Sequence, residues 1–358
     1  MVGSPPAFAA DGMMVLGLPL WAWQGAVSIT GVTVLVLLAR PLLRGRMSSL
    51  RWWALGNIVA NAVITLSGAT VRVTGSGLGC PEWPRCTPDS FVPADTAHST
   101  LQAAIEFGNR TLALPVLAVG VIVLAALLRT RPRRRDLTAM AAAIVVGVAG
   151  QAAVGGVTVW SGLHPITVTA HFLLSMLVLA VAVALYVRCR EPEGATRPTV
   201  TPSARALTLA LVAAGFLVLV AGTIVTGNGP HSGDPDAPRW GLDMVLISRV
   251  HSLLAWLVVL LTAALIVLLV RGAPRQARVQ AWLVLAALLG QGAIGYTQYF
   301  MGVPEGLVVA HVLGAVLTWV AIVRLYFATS ERVAGDAVSE GPAPAAPEAG
   351  APAGAAGH

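Results

Sequence analysis

Three histidines lie inside long apolar runs: His171 in "TAHFLLSMLVLA", His251 in "VHSLLA" and His311 in "VAHVLGAVLTWV". An ionisable group within a membrane span is costly, which makes each a functional candidate. His251 and His311 both enter their runs from the outer side, and at 1.5 Å per residue each lies roughly 10 Å below that surface. Two imidazole nitrogens brought to one level from different helices suit the axial positions of a heme iron. A lone histidine in such a run is more often a hydrogen-bonded packing residue, but a pair at matched depth within a repeat favours ligation. Zinc is disfavoured, because no Cys, Asp or Glu joins the pair to complete four ligands.

A second group surrounds His171. Where the first half aligns "NRTLA" with "HSLLA", Asn109 stands in the position of His251. Asn is a poor axial ligand, so a heme held there through His171 alone keeps one face open. Glu106 lies three residues before Asn109, about one helical turn nearer the outside. It reads either as a carboxylate beside a bound substrate or as a helix-start acid favoured by the dipole. The loop "TGSGLGCPEWPRC" carries Cys80 and Cys86, and an oxidising compartment lets that pair persist as a disulfide. Closing so short a loop stabilises it by roughly 2 kcal/mol on the chain-entropy model. A structural staple and a redox or substrate-gating role both remain open for it. His98, His164, His231 and His358 fall in loops or the tail, and Cys189 reads as a free thiol in a basic loop.

The elements that position these groups are membrane helices. Of 358 residues, 56% are hydrophobic and 11% charged, with a mean hydropathy of +0.77. The net charge of +7 comes from Arg clusters between apolar runs, the pattern of cytoplasmic loops and not of a nucleic-acid-binding face. Runs long enough to span fall near 53–73, 102–128, 137–160, 166–187, 204–226, 244–270, 279–300 and 306–328. The Arg-rich connections 129–135, 188–197 and 271–278 are expected in the cytoplasm, and 74–101 and 227–243 outside. A further run at 13–39 is either an extra N-terminal span or the product of an upstream start, with Met47 the true first residue. The segment 331–358, rich in Ala, Pro and Gly, is expected to be disordered.

The two halves repeat. "TGSG" at 74 answers "TGNG" at 226, "GNRTLA" at 108 answers "VHSLLA" at 250, "GQAAVGG" at 150 answers "GQGAIGY" at 290, and His171 answers His311. Each unit has an even number of spans, so the copies are related by an axis along the membrane normal. The expected fold is an all-α membrane protein of two parallel-related four-helix bundles, eight core spans in all. The bundles are expected at 47–190, with a heme held on one face by His171, and 204–330, with a heme between His251 and His311, joined by a cytoplasmic linker at 191–203. Residues 1–46 stand apart as the extra segment.

Together, "TGSGLGCPEWPRC", "EFGNR", "GGVTVWSGLHPITVTAHF" and "VTGNGP…RVHSLLA…AHVLGAVLTW" resemble the heme A synthase family over about 50–328. The resemblance implies oxidation of the C8 methyl of heme O to a formyl group, giving heme A for cytochrome c oxidase, in a bacterial cytoplasmic membrane. It implies heme b on His251 and His311, heme O received beside His171 and Asn109, Glu106 as the essential carboxylate, and Cys80–Cys86 as the loop disulfide. Asn109 departs from the pattern, since many members carry a fourth ligating His there. Implied partners are heme O synthase (a farnesyltransferase), cytochrome oxidase assembly factors and membrane lipid, with self-association left open. Arg72, Arg85, Arg110, Arg239 and Arg249 are candidates to hold heme propionates. The rival readings are a diheme b-type electron carrier, which needs no Glu106, and a transporter, in which polar groups converge at mid-depth.

Overall fold

The computed structural model describes residues 14–93 and 100–334. His98, His358 and most of the tail expected to be disordered lie outside that range. Among the described residues there are nine helices long and apolar enough to cross a membrane. They are α1 (Leu20–Leu43), α2 (Leu50–Val73), α3 (Thr100–Arg129), α4 (Arg135–Trp160), α5 (Pro165–Arg188), α6 (Pro202–Asn228), α7 (Met244–Val270), α8 (Arg275–Phe300) and α9 (Glu305–Ala328). The chain is thus a multi-pass membrane protein. The run expected at 13–39 is α1, shifted towards the C-terminus because Met14–Val15 (β1) and Leu18–Pro19 (β2) pair as a short hairpin ahead of it.

Helix ends follow local chemistry. Thr201 and Asp243 cap α6 and α7 by accepting the Ala204 and Leu246 N–H groups at 3.3 and 2.6 Å, and Pro165 and Pro202 occupy first-turn positions where no N–H is needed. The exits of α4 and α8 are twins. Gly162 and Gly302 have φ of 62° and 75°, followed by Leu163 and Val303 at 59° and 63°. In each, the second residue donates back to the carbonyl five residues earlier, Leu163 to Thr158 and Val303 to Gln298, the Schellman closure. Both turns are related by the same offset as His171 and His311.

Packing runs in circuits. α2 contacts α3, α3 contacts α4, α4 contacts α5, and α5 returns to α2; α6, α7, α8 and α9 close in the same order. α5 and α9 meet between the circuits, where Trp319 donates its indole N–H to the Met176 carbonyl at 2.8 Å. Met176, Leu179 and Val183 on α5 and Trp319, Ile322 and Val323 on α9 are buried there, while Val146, Leu253 and Val267 face outward, as lipid allows. α1 lies against α3, its Gln24 Nε2 donating to the Ala104 carbonyl at 2.8 Å.

At the end carrying the Arg-rich connections, the linker and the chain after α9 are joined. Thr196–Pro198 (β3) pairs antiparallel with Ser330–Arg332 (β4). The first residues of the segment expected to be disordered are therefore ordered. Asp136 binds Arg134 through two bonds of 3.1 and 3.0 Å and also pairs with Arg332, fixing β4 to the start of α4.

Candidate functional site

His251 is the eighth residue of α7 and His311 the seventh of α9, which places both about 10 Å in from the outer ends of their helices. Their rings face each other, with centroids 6.4 Å apart and planes inclined by 68°. Each ring rests on a glycine of a neighbouring helix. A Cβ on Gly222 of α6 would lie 3.2 Å from His251 Cε1, and one on Gly295 of α8 would lie 3.1 Å from His311 Cε1. The backbone can approach this closely only because no side chain is there.

The spacing tests the fit of a metal between the rings. A metal–imidazole bond of about 2 Å, with roughly 1 Å more from nitrogen to ring centre, sets two opposed rings about 6 Å apart. The observed separation agrees. The donor set agrees too: among the described residues no cluster of three or more His, Cys, Asp or Glu exists that could close a zinc site. Two imidazoles are what an iron already held by a porphyrin lacks.

His171 sits on α5 as His311 sits on α9, seven residues from the helix start, against Gly155 at 3.4 Å from an added Cβ. Across from it Asn109 holds the position of His251, with its Oδ1 buried and without a hydrogen-bond partner among the described residues. Both histidine-bearing turns share a support that sequence reasoning used only as an alignment mark. Gln151 of α4 donates its Nε2 to the His171 carbonyl at 3.1 Å, and Gln291 of α8 does the same to the His311 carbonyl at 2.9 Å. Gln151 also reaches Ser175 Oγ at 2.6 Å. A polar amide at the same offset in two apolar helices was the available signal.

The outer loop of the first half is tied down on α3. Cys80 and Cys86 form a disulfide, and both are fully buried. Glu106, in the second turn of α3 and 5% exposed, accepts the Cys80 N–H on Oε2 at 2.7 Å. Its Oε1 receives Arg110 Nε and Nη2 at 3.1 and 2.5 Å. Arg110 goes on to donate to the carbonyls of Cys80, Glu82 and Arg85 at 2.8, 2.8 and 2.9 Å. Arg110, one of the five arginines considered for propionates, is held by the loop and Glu106. Trp83 packs edge-on to Trp160 and over Gly156, where a Cβ would come within 2.7 Å of the indole.

The other arginines divide. Arg85 donates to the Pro88 carbonyl and lies over Phe91. Arg72 at the end of α2 donates Nε to the His231 carbonyl at 2.8 Å, and Arg239 donates to the Gly229 carbonyl at 2.9 Å. Gly77 of the first outer loop donates to Gly233 of the second at 2.8 Å, so the two cognate loops touch. Arg249, on α7, makes no hydrogen bond or ion pair among the described residues. Of the loop histidines, His164 caps α5 and His231 bonds the Val303 carbonyl at 2.9 Å; both are structural here.

A family model described as Cytochrome oxidase assembly protein (COX15-CtaA) matches residues 51–323, from α2 almost to the end of α9. The chain is similar to proteins named heme A synthase in several bacteria. The one from Shewanella oneidensis is 24% identical over 322 residues, 78% of this chain and 96% of that protein. The one from Lysinibacillus sphaericus is 27% identical over 194 residues, 53% of this chain and 62% of its own length. The one from Symbiobacterium thermophilum is 29% identical over 191 residues, 51% and 61%. The last two matches thus span less than two thirds of those relatives. α1 precedes the segment that the family model matches.

Proposed function

The chain belongs to the cytochrome oxidase assembly protein family of heme A synthases, and from that premise we propose that it oxidises the C8 methyl of heme O to a formyl group, giving heme A. We read the two helix circuits as two four-helix bundles, 47–190 and 204–330, joined by the linker 191–203. The C-terminal bundle holds heme b through His251 and His311. The N-terminal bundle receives heme O beside His171 and Asn109. The observation that carries this reading is the opposed pair His251–His311 at 6.4 Å, each ring seated on a glycine.

Heme b bound between His251 and His311 supplies one-electron redox chemistry. The chain's own residues do the rest. His171 offers one imidazole to the substrate iron, and Asn109, too weak a donor to close the second axial position, leaves that face open while its unpaired Oδ1 can accept a hydrogen bond there. A methyl that becomes a formyl gains the oxygen of one water and loses four protons and four electrons, the electrons leaving one at a time through heme b to an external acceptor, and positive charge builds on its carbon at each removal. Glu106, its charge shared with Arg110, presents a carboxylate on α3, one turn outward of Asn109, that can steady the developing charge or take a proton as water adds. The disulfide loop, anchored on that carboxylate, covers it from the outer side. Asn109 in the position that His251 holds in the other half argues against a symmetric diheme carrier. The outward placement of the polar groups argues against a transporter.

The reading is tested in a bacterial host that makes heme O and lacks its own route to heme A. Expression of the chain is expected to yield heme A among the extracted hemes, measured by mass. Hemes that stay entirely as heme O, with the protein present in the membrane, would overturn it. His311→Ala is expected to abolish the low-spin heme b spectrum of the purified protein, and a full spectrum in that variant would remove the ligand assignment.

A further inference from the structure

A cavity at the Arg-rich end of the molecule lies at the opposite helix ends from His171, His251 and His311. It occupies about 530 Å³ at the Arg-rich end, between the start of α6, the end of α7 and the β3–β4 pair. Arg197, Thr199, Ala204, Leu269, Arg271 and Glu331 are among its walls. Arg197 and Arg271 are both exposed, and among the described residues neither enters an ion pair; Glu331, the cross-strand neighbour of Arg197, enters none either. A shallow crevice next to it shares Leu269 and adds Arg278 and Trp282 on α8. The mouth opens where the lipid-facing Val267, Leu268 and Val270 end.

Three features together define an occupant. The volume falls within the range of small-ligand sites, roughly 300–1,000 Å³. Arg197, Arg271 and Arg278 outnumber the single carboxylate, so the site favours an anion, and guanidinium forks match phosphate oxygens in pairs. The aliphatic surface running from the mouth down α7 suits hydrocarbon and does nothing for a free anion. We propose that this cavity binds the headgroup of an anionic phospholipid of the cytoplasmic leaflet, its phosphate paired with Arg197 and Arg271 and its acyl chains lying on the exposed face of α7. Basic pockets at the cytoplasmic ends of membrane helices take such headgroups. The lipid bridges the linker between the two halves, the chain after α9 and the α7–α8 turn, which line the cavity together.

The test uses the full chain, delipidated in detergent and examined by native mass spectrometry with phosphatidylglycerol or phosphatidylcholine of identical acyl chains. One phosphatidylglycerol per chain is expected to be retained, about 25-fold over phosphatidylcholine, at about fivefold per arginine. R197Q/R271Q is expected to lose that preference while its phosphatidylcholine retention stays unchanged, which excludes misfolding as the cause. R131Q/R133Q, in another basic connection, is expected to keep it. Equal retention of the two lipids by the wild-type chain, or an undiminished preference in R197Q/R271Q, overturns the proposal. Thermal stabilisation by inorganic phosphate equal to that by phosphatidylglycerol overturns the lipid identity and leaves a soluble anion. None of these readouts depends on heme.

Discussion

Arg110 and Glu106 allow a charge that acts on substrate to be separated from a charge that merely holds a loop. Arg110 donates two bonds to Glu106 and three to the carbonyls of Cys80, Glu82 and Arg85, so Arg110→Gln leaves a buried carboxylate unpaired and three acceptors short of a donor. Removing one partner of a buried ion pair costs about 3–5 kcal/mol; with the Arg110 side chain 19% exposed and the Glu106 side chain 6% exposed, the lower end applies, about 3 kcal/mol. That corresponds to about a 100-fold rise in the population of the opened loop. Because Cys80 and Cys86 are fully buried, a water-soluble reductant reaches their disulfide only from the opened state. Its reduction is therefore expected to run about 100-fold faster in Arg110→Gln. Glu106→Gln keeps an oxygen for the Cys80 N–H and leaves the arginine on its three carbonyls, so reduction is expected to accelerate less, by about tenfold. Heme A formation is expected to rank the other way, abolished in Glu106→Gln and reduced but measurable in Arg110→Gln. If activity instead falls in proportion to loop opening, with Arg110→Gln the worse enzyme, Glu106 is an anchor and its electrostatic role is refuted.

Further outcomes follow from the same geometry. Gly295→Ala and Gly222→Ala put a Cβ at 3.1 and 3.2 Å from the histidine rings, about 0.4 Å inside comfortable contact, so both are expected to weaken the low-spin heme b signal. Gly155→Ala, at 3.4 Å from His171, is expected to be tolerated, and a uniform response of all three in optical titration would count against ligation. Gln291→Leu removes the bond to the His311 carbonyl and is expected to change the g-anisotropy of the ferric low-spin signal in electron paramagnetic resonance, with less effect on heme content. Burial pushes the Cys189 thiol up from its ordinary range, so little thiolate exists at pH 7. Alkylation of Cys189 in the folded protein is expected to be slow at pH 7 and to climb as pH rises past that of a free thiol; rapid labelling at pH 7 would contradict the burial.

What the sequence made legible was whatever the bilayer forces into a local signal. A span must be a long apolar run, and His171, His251 and His311 stand out because lipid penalises them. The Glu106–Arg110 pair was also readable, as an i,i+4 spacing of opposite charge. Arg110 stood among five candidates for propionates because an arginine near a span's outer end can serve a ligand, a lipid interface or a loop. Only the path of residues 80–86 decides among them. The β3–β4 pair had no signal at all, since it joins segments more than 130 residues apart through three residues each. The glycine seats were hidden by their frequency: with 37 glycines in the chain, nothing local separates Gly222 and Gly295 from those that merely let helices pack.

The two halves differ in a correlated way that, on the function proposed above, suits one scaffold to two different sites. The frame is kept: the exits at Gly162–Leu163 and Gly302–Val303, the glutamines Gln151 and Gln291, and the seats Gly155 and Gly295 recur at one offset. The changes cluster on the opposite side and on the outer rim. His251 rests on Gly222, whereas Asn109 replaces it in the first half and the position answering Gly222 in the "TGSG"/"TGNG" alignment is Thr70, because a shorter side chain no longer needs a bare backbone beside it. Gly156 is bare so that Trp83 of the disulfide loop can lie on it, whereas its counterpart Tyr296 bonds Ser252 and Trp256 and no cysteine loop exists above. The loss of the His251 contact in the first half is thus matched by a gain of cover from outside. On the function proposed above, such a bundle keeps one side of its heme open and covered from outside, as admitting and enclosing a substrate requires.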